Sequence, residues 1–217
     1  MGRIIKNHKV FWTNTESLSA AFVSCIIFGI SLVVNFYAGV YATMSASNPV
    51  TDLILDHIPV YNIDTIFIYG PLLLWVFVAL LCFNEPKKIP FVLKSVALFI
   101  IIRSVFITLT HIGPSVDGFN LNYSSKLIRD FTFGGDLFFS AHTGLPFLMA
   151  LIFGKDKRLL VLFTLTAIFF GIVVLMGHVH YSIDVLAAFF ITYTIFHLSR
   201  FFFKKDWESF NEVVSLE

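Results

Sequence analysis

Two short stretches carry residue types suited to chemistry. GGDLFFSAHTG, residues 134–144, supplies His142, and GHVHYSID, residues 177–184, supplies His180 four residues ahead of Asp184. Positions i and i+4 share a helix face, so the His180 and Asp184 side chains can meet. A carboxylate that accepts the Nδ1 proton fixes the imidazole tautomer and frees the Nε2 lone pair, which prepares a nucleophile or base. The competing reading is a structural pair in which two buried polar groups satisfy each other. Around His142 cluster Gly134, Gly135, Asp136, Ser140 and Thr143. Amides at a helix start can bind a phosphate oxygen, whereas the plainer reading is an interfacial histidine with a helix cap near Asp136.

A third candidate is Arg103, inside FIIIRSVFITLT. A charge among isoleucines and a valine is costly unless paired. A phosphate would serve, because guanidinium forms bidentate bonds to its oxygens. The competing reading is an ion pair to Asp184, Asp136 or a loop carboxylate, and the phosphate role is the one expected. Two histidines, a carboxylate and an arginine are parts for breaking a phosphate ester. His178 and His180 form a His-x-His pattern that could bind a metal with His142 or Asp184 as a third ligand. The carboxylate spacing better serves tautomer control, so no metal and no cofactor are expected. His8, His57, His111 and His197 read as interfacial, and Trp12 and Trp207 as aromatic-belt residues.

The elements that must position these groups are apolar. Of 217 residues, 57% are hydrophobic and 13% charged, against about 25% charge in a soluble domain. At roughly 20 apolar residues per crossing, six spans are expected, over Leu18–Met44, Thr65–Phe83, Ile89–Thr110, Leu137–Phe153, Leu159–Met176 and Ser182–Phe203. The fold class is therefore an all-α polytopic membrane protein. Residues 1–17 form an N-terminal segment, 18–203 the six-helix domain and 204–217 a tail. The first run is too long for the core of a cleavable signal peptide and reads as an uncleaved span. Cys25 and Cys82 read as small buried hydrophobes. Lys94, near one end of its span, is expected to snorkel.

Charge asymmetry orients the spans. Arg3, Lys6, Lys9, Lys87, Lys88, Lys155, Lys157, Arg158, Arg200, Lys204 and Lys205 are eleven of the fifteen basic residues, and all flank alternate span ends. The positive-inside rule puts those ends, and both termini, in the cytoplasm. Only Lys126 and Arg129, in the loop from Gly113 to Gly135, break the pattern. His142, His180, Asp184 and Arg103 then share one depth on the luminal or extracytoplasmic side. A net charge of +1 predicts no nucleic-acid partner. The bilayer is the expected environment, and a homo-oligomer is left open.

At these residues the chain resembles a known family. GGDLFFSAHT followed about forty residues later by HYSIDV resembles the paired signatures of the sphingomyelin synthase family, part of the type-2 phosphatidic acid phosphatase superfamily. NPVTDLILDHIP, with Asp52, Asp56 and Pro59, resembles its first luminal motif. RSVFITLTHIGP, with Arg103, Thr108 and Thr110, resembles its Arg-and-Thr motif. The resemblance covers about residues 48 to 200 and implies six spans with a luminal or exterior His-His-Asp triad. It implies that His180 attacks the lipid phosphate, Asp184 orients it, and His142 protonates the leaving diacylglycerol oxygen and then deprotonates the acceptor. The expected partners are a phospholipid donor and a lipid alcohol acceptor, ceramide or diacylglycerol. Arg103, Ser140, Thr143 and Asp136 are the expected phosphate-binding residues. Ala141 stands where most relatives have glycine, Ser104 where the wider superfamily has proline, and Val174 where it has arginine. The last two departures fit the synthase branch. These residues include no N-terminal protein-interaction domain of the kind some larger members have. The alternatives are hydrolysis with water as acceptor, a non-catalytic lipid-binding or transport protein, and a metal-handling membrane protein.

Overall fold

Apolar runs of this length satisfy their backbone groups in lipid only as helices, and helices are what the chain forms. The structure, a computed structural model, describes residues 2–115 and 135–212. Its helices are α1 (Gly2–Thr13), α2 (Thr15–Met44), α3 (Asp64–Asn84), α4 (Ile89–Leu109), α5 (Ala141–Ile152), α6 (Lys157–Met176), α7 (Ser182–Phe202) and α8 (Lys204–Asn211). Short 3₁₀ turns occur at Leu55–His57 and Pro86–Lys88. There is no strand among the described residues. The Asn14 and Asp156 side chains cap α2 and α6 by accepting bonds from their first-turn amides.

Five helices are long and apolar enough to cross a bilayer: α2, α3, α4 with the turn before it, α6 and α7. The fourth expected span is different. Only Ala141–Ile152 is helical there, and 12 residues rise about 18 Å, short of a hydrocarbon core of about 30 Å. The preceding residues cannot extend the helix, because Phe138 and Phe139 take φ of 119° and 22°. Exposed large apolar side chains run along α2, α3, α6 and α7, among them Phe22, Leu73, Leu165 and Phe190. Cys82 is buried, whereas Cys25 lies on the exposed face of α2, contrary to the expectation for it.

The short α5 is the centre of the packing, against α6, α7 and α4. Around it Phe91, Phe99, Phe139, Leu148, Met149 and Phe163 are wholly buried. Gly144 permits the close approach. A Cβ there would come 2.7 Å from the Phe99 ring and 2.9 Å from the Thr192 hydroxyl oxygen, so a side chain at this point would force α5 away from α4 and α7.

The N-terminal helix, the Pro86–Lys88 turn and α8 gather at one end of the bundle. His8 Nε2 meets the Phe83 carbonyl at 2.7 Å. Trp207 and Phe210 of α8 pack on Phe91, with ring centroids 4.8 and 5.8 Å away. Part of the expected tail is therefore a packed amphipathic helix. Lys94 does not simply snorkel. Its Nζ pairs with the Asp206 carboxylate at 2.6 Å and lies over the Phe203 ring. Both partners are nearly buried, so removing one leaves the other's charge poorly solvated. Asp206→Asn is expected to cost about 2 kcal/mol, read as a lower thermal unfolding midpoint in detergent, with α8 becoming the preferred site of limited proteolysis.

Candidate active site

The site starts from Arg103, one and a half turns from the end of α4 and 5% exposed. Its guanidinium turns toward the segment ahead of α5. Nε donates to the Phe139 carbonyl at 3.2 Å. One terminal nitrogen donates to the Asp136 carbonyl at 2.7 Å and to the Asp136 carboxylate at 3.0 Å. Of the alternatives open for this charge, the structure contains the ion pair to Asp136. The same bonds hold a strained backbone, since left-handed φ costs a phenylalanine about 1–3 kcal/mol. Phe138 stacks on Phe106 at 5.3 Å, and Phe139 sits edge-on to Phe99 at 5.3 Å. The turn sets the direction of Ser140, which precedes α5 without a side-chain capping bond, and so of His142 in the first turn.

His142 lies between two rings. Phe67 of α3 stacks on it at 4.1 Å, and Phe170 of α6 meets it edge-on at 6.2 Å. Its Nε2 contacts the Phe67 carbonyl at 3.3 Å. A carbonyl only accepts, so Nε2 carries the proton in this contact and Nδ1 is the nitrogen left to exchange one.

His180 and Asp184 meet, but not along one helix face as expected, because α7 begins at Ser182 and His180 lies just ahead of it. His180 Nδ1 lies 3.2 Å from Asp184 Oδ2, with the histidine nearly buried and the aspartate wholly so. The same oxygen accepts the Tyr181 N–H at 3.1 Å, and the Asp184 N–H returns a bond to the Tyr181 carbonyl at 3.0 Å. This reciprocal pair starts α7. With Nδ1 donating to a carboxylate, Nε2 is the nitrogen whose lone pair is left free.

One bond joins the two motifs directly. The Ser140 N–H donates to the Asp184 carbonyl at 3.1 Å. His180 and Arg103 both lie within electrostatic reach of His142. Four groups from three separated stretches of the chain therefore converge at one end of the bundle. This is the end opposite α1 and α8, because α4 runs from one to the other.

Residues 45–63, between α2 and α3, close over this end. Ser47 N–H donates to the His111 carbonyl at 2.8 Å, and Gly113 N–H to the Asn48 carbonyl at 3.1 Å. The Tyr181 hydroxyl donates to the Gly113 carbonyl at 2.8 Å and accepts from Val50 N–H at 3.2 Å. Asp52 accepts from the Ser182 N–H at 2.7 Å and the Ser182 hydroxyl at 2.8 Å. Its other oxygen accepts the amides of Ile54 and Leu55. Burial pushes the Asp52 carboxyl up, but the Ser182 hydroxyl and these amides outweigh it and hold the group below its ordinary value.

The remaining expected residues divide. The hydroxyls of Ser140 and Thr143 are buried with no partner among the described residues, and the Asp136 carboxylate is engaged by Arg103. His178 is nearly buried at φ 51°, with Nε2 unpartnered among the described residues. No group of three metal-ligating side chains occurs among the described residues. Gly134, Lys126 and Arg129 lie outside them. Sequence reasoning assigned no role to Asp52, Tyr181 or the Phe67 carbonyl. Asp52 stood inside a quoted motif, but only its reach to Ser182 shows what it holds.

Two outcomes follow from the geometry. Arg103→Leu leaves the Asp136 carboxylate and two carbonyls without donors, and is expected to cost about 2–4 kcal/mol, read by thermal unfolding. For Asp52, a depressed folded value means that ionisation favours the folded state. Its stabilisation is complete above the ordinary aspartate value of about 3.9 and fades as pH falls through the lower folded value. The stability gap between the protein and Asp52→Ala should be constant from pH 6 to 8 and shrink in acid, as denaturant titrations will read.

Residues 134–201 match the sequence model of a protein family described as PAP2 superfamily C-terminal. No curated protein and no solved structure matches the chain. The match supports the PAP2 superfamily, and the stretch it covers contains His142, His180 and Asp184.

Proposed function

We propose that this protein is a lipid phosphatase-type membrane enzyme that breaks a phospholipid phosphate ester through a covalent histidine. The observation that carries the reading is the bond from Ser140 N–H to the Asp184 carbonyl. It locks the segment bearing His142 to the segment bearing the His180–Asp184 pair. A merely structural His–Asp pair would need no second histidine held beside it. The PAP2 match over residues 134–201 supports the same class of chemistry.

The steps use the chain's own groups. His180 Nε2 attacks phosphorus, the bond from phosphorus to the diacylglycerol oxygen breaks, and protonated His142 supplies the proton that oxygen needs. Asp184 accepts the Nδ1 proton in a hydrogen bond and offsets the charge gained by the imidazole. In the second half an acceptor hydroxyl gives its proton to His142 and attacks phosphorus, and the nitrogen–phosphorus bond breaks. Asp136 already balances Arg103 in this geometry. The guanidinium would reach a phosphate only by sharing or exchanging that partner, and Ser140 and Thr143 offer their unpartnered hydroxyls nearby.

The favoured acceptor is a lipid alcohol, ceramide or diacylglycerol. The motif resemblance supports this over water, as do Ser104 and Val174. The basic residues gathered at the α1 and α8 end support a cytoplasmic position for that end, which sets the reaction at the luminal or extracytoplasmic leaflet.

The test is purified protein given head-group-labelled phosphatidylcholine or phosphatidylethanolamine, or phosphate-labelled phosphatidic acid, each with and without ceramide. Label moving to ceramide or diacylglycerol is the expected result. Label released as a water-soluble phosphate compound would assign water as the acceptor. No turnover of any lipid would defeat the enzyme reading. His180→Ala should lower turnover about a thousandfold or more and abolish acid-labile label on the protein. His142→Ala should lower it about 10²–10⁴-fold.

A further inference from the structure

Asp184 holds His180 by a single oxygen. Oδ2 takes both His180 Nδ1 and the Tyr181 N–H, while Oδ1 is buried with no partner among the described residues. The carboxylate's direction therefore depends on where residues 180–182 lie. The chain before them closes α6 with a Schellman turn, His178 N–H to the Leu175 carbonyl and Val179 N–H to the Val174 carbonyl, each at 3.0 Å, with His178 left-handed, and those bonds end at Val179. The anchor comes from elsewhere. Ser182, the first residue of α7, gives its N–H and its hydroxyl to one oxygen of Asp52. The other Asp52 oxygen is occupied by the amides of Ile54 and Leu55, and the Asp52 N–H is held by Asp56 at 3.1 Å. Asp52 is 8% exposed. With its oxygens committed to four donors it has no part in proton transfer.

We propose that Asp52 is a positioning residue. Resting on the assignment of His180 as nucleophile, it fixes the first turn of α7 and thereby aims the Asp184 carboxylate that holds the His180 ring. Asp52 performs in trans what a capping side chain does for its own helix. It accepts an amide that would otherwise be orphaned, and brings a negative charge to the positive end of the helix dipole. The Tyr181 hydroxyl, bonded to Gly113 and Val50, fixes the neighbouring residue in the same way. The segment between α2 and α3 becomes part of the catalytic apparatus without touching the reacting atoms.

Catalytic and merely structural roles are separable. Asp52→Ala, Asp52→Asn and Ser182→Ala are made in the full chain, alone and combined with Asp184→Asn. Turnover is measured on the lipid the protein accepts. Histidine-selective ¹⁵N NMR reads the His180 tautomer. Asp52→Ala should lower kcat about 10–100-fold with KM nearly unchanged, and Asp52→Asn, which keeps an acceptor, should lose less. On the Asp184→Asn background, Asp52→Ala should add almost nothing, because the group it aims is already gone. The Nδ1-protonated form of His180 should become mixed in Asp52→Ala, as in Asp184→Asn. Unchanged kcat, full multiplication of the two losses, or an unaltered tautomer would overturn the proposal. If Asp52→Ala fails to fold, Asp52→Asn and Ser182→Ala decide by the same criteria. If the protein turns over no lipid, the functional reading falls, and the tautomer measurement alone decides the positioning role.

Discussion

An arginine set among isoleucines must be neutralised, and much of the site follows from how Arg103 is. Three hydrogen bonds from one guanidinium gather the carbonyls of Asp136 and Phe139 and the carboxylate of Asp136. They stabilise a turn in which two phenylalanines take left-handed φ, a conformation a free chain would leave. That turn stops α5 from starting earlier and fixes the direction of Ser140. The Ser140 amide then reaches the Asp184 carbonyl, and His142 faces Phe67. Replacing the arginine with an apolar residue would remove the cost of a buried charge but also release the turn. This is the asymmetry of buried ion pairs: breaking one costs more than forming it contributes.

The two ends of the bundle are built differently. At the α1 and α8 end, the ammonium of Lys94 meets Asp206 and rings pack on rings, which needs only approximate geometry. At the other end rings also pack, Phe67 on His142 and Phe138 on Phe106, but many of the side chains and turns are held as well by hydrogen bonds to backbone atoms. Carbonyls of Phe67, Gly113, Asp136, Phe139 and Asp184 each accept a bond that fixes a side chain or a turn. Rings in a core tolerate small shifts, whereas a hydrogen bond weakens steeply with angle. The end holding His142, His180 and Asp184 is the one whose geometry is specified more sharply.

This division explains what the sequence discloses. The five long helices lie within three residues of the expected spans, because runs of about 20 apolar residues in lipid have only one backbone solution. The spacing of four pointed to the pairing of His180 with Asp184, but for a different reason: the expected shared helix face is absent, and Asp184 reaches back across the start of α7 to a histidine ahead of it. The short α5 was not, because hydropathy continues through Leu137–Phe139 while the backbone there is turned by contacts from α4. Hydropathy records solubility in lipid and is blind to φ. Helix α8 was hidden because eight residues with both charges and rings carry no span signal. The choice among carboxylates for Arg103 stayed open, since three fitted the sequence equally and only the path of the chain selects Asp136.

Asp52 shows the limit most clearly. Its chemistry depends on meeting Ser182, 130 residues away, and no spacing rule spans that distance. Composition and period reveal groups that react or that face lipid, because those properties belong to the residue itself. A group whose task is to hold another's backbone has no such mark, since any short acceptor would look the same in the chain. The candidate residues His142, His180 and Asp184 are therefore readable one by one. The residues that hold their backbone become visible only when amide donors are traced to their acceptors across the fold, where Asp52 accounts for an N–H that the first turn of α7 cannot satisfy within itself.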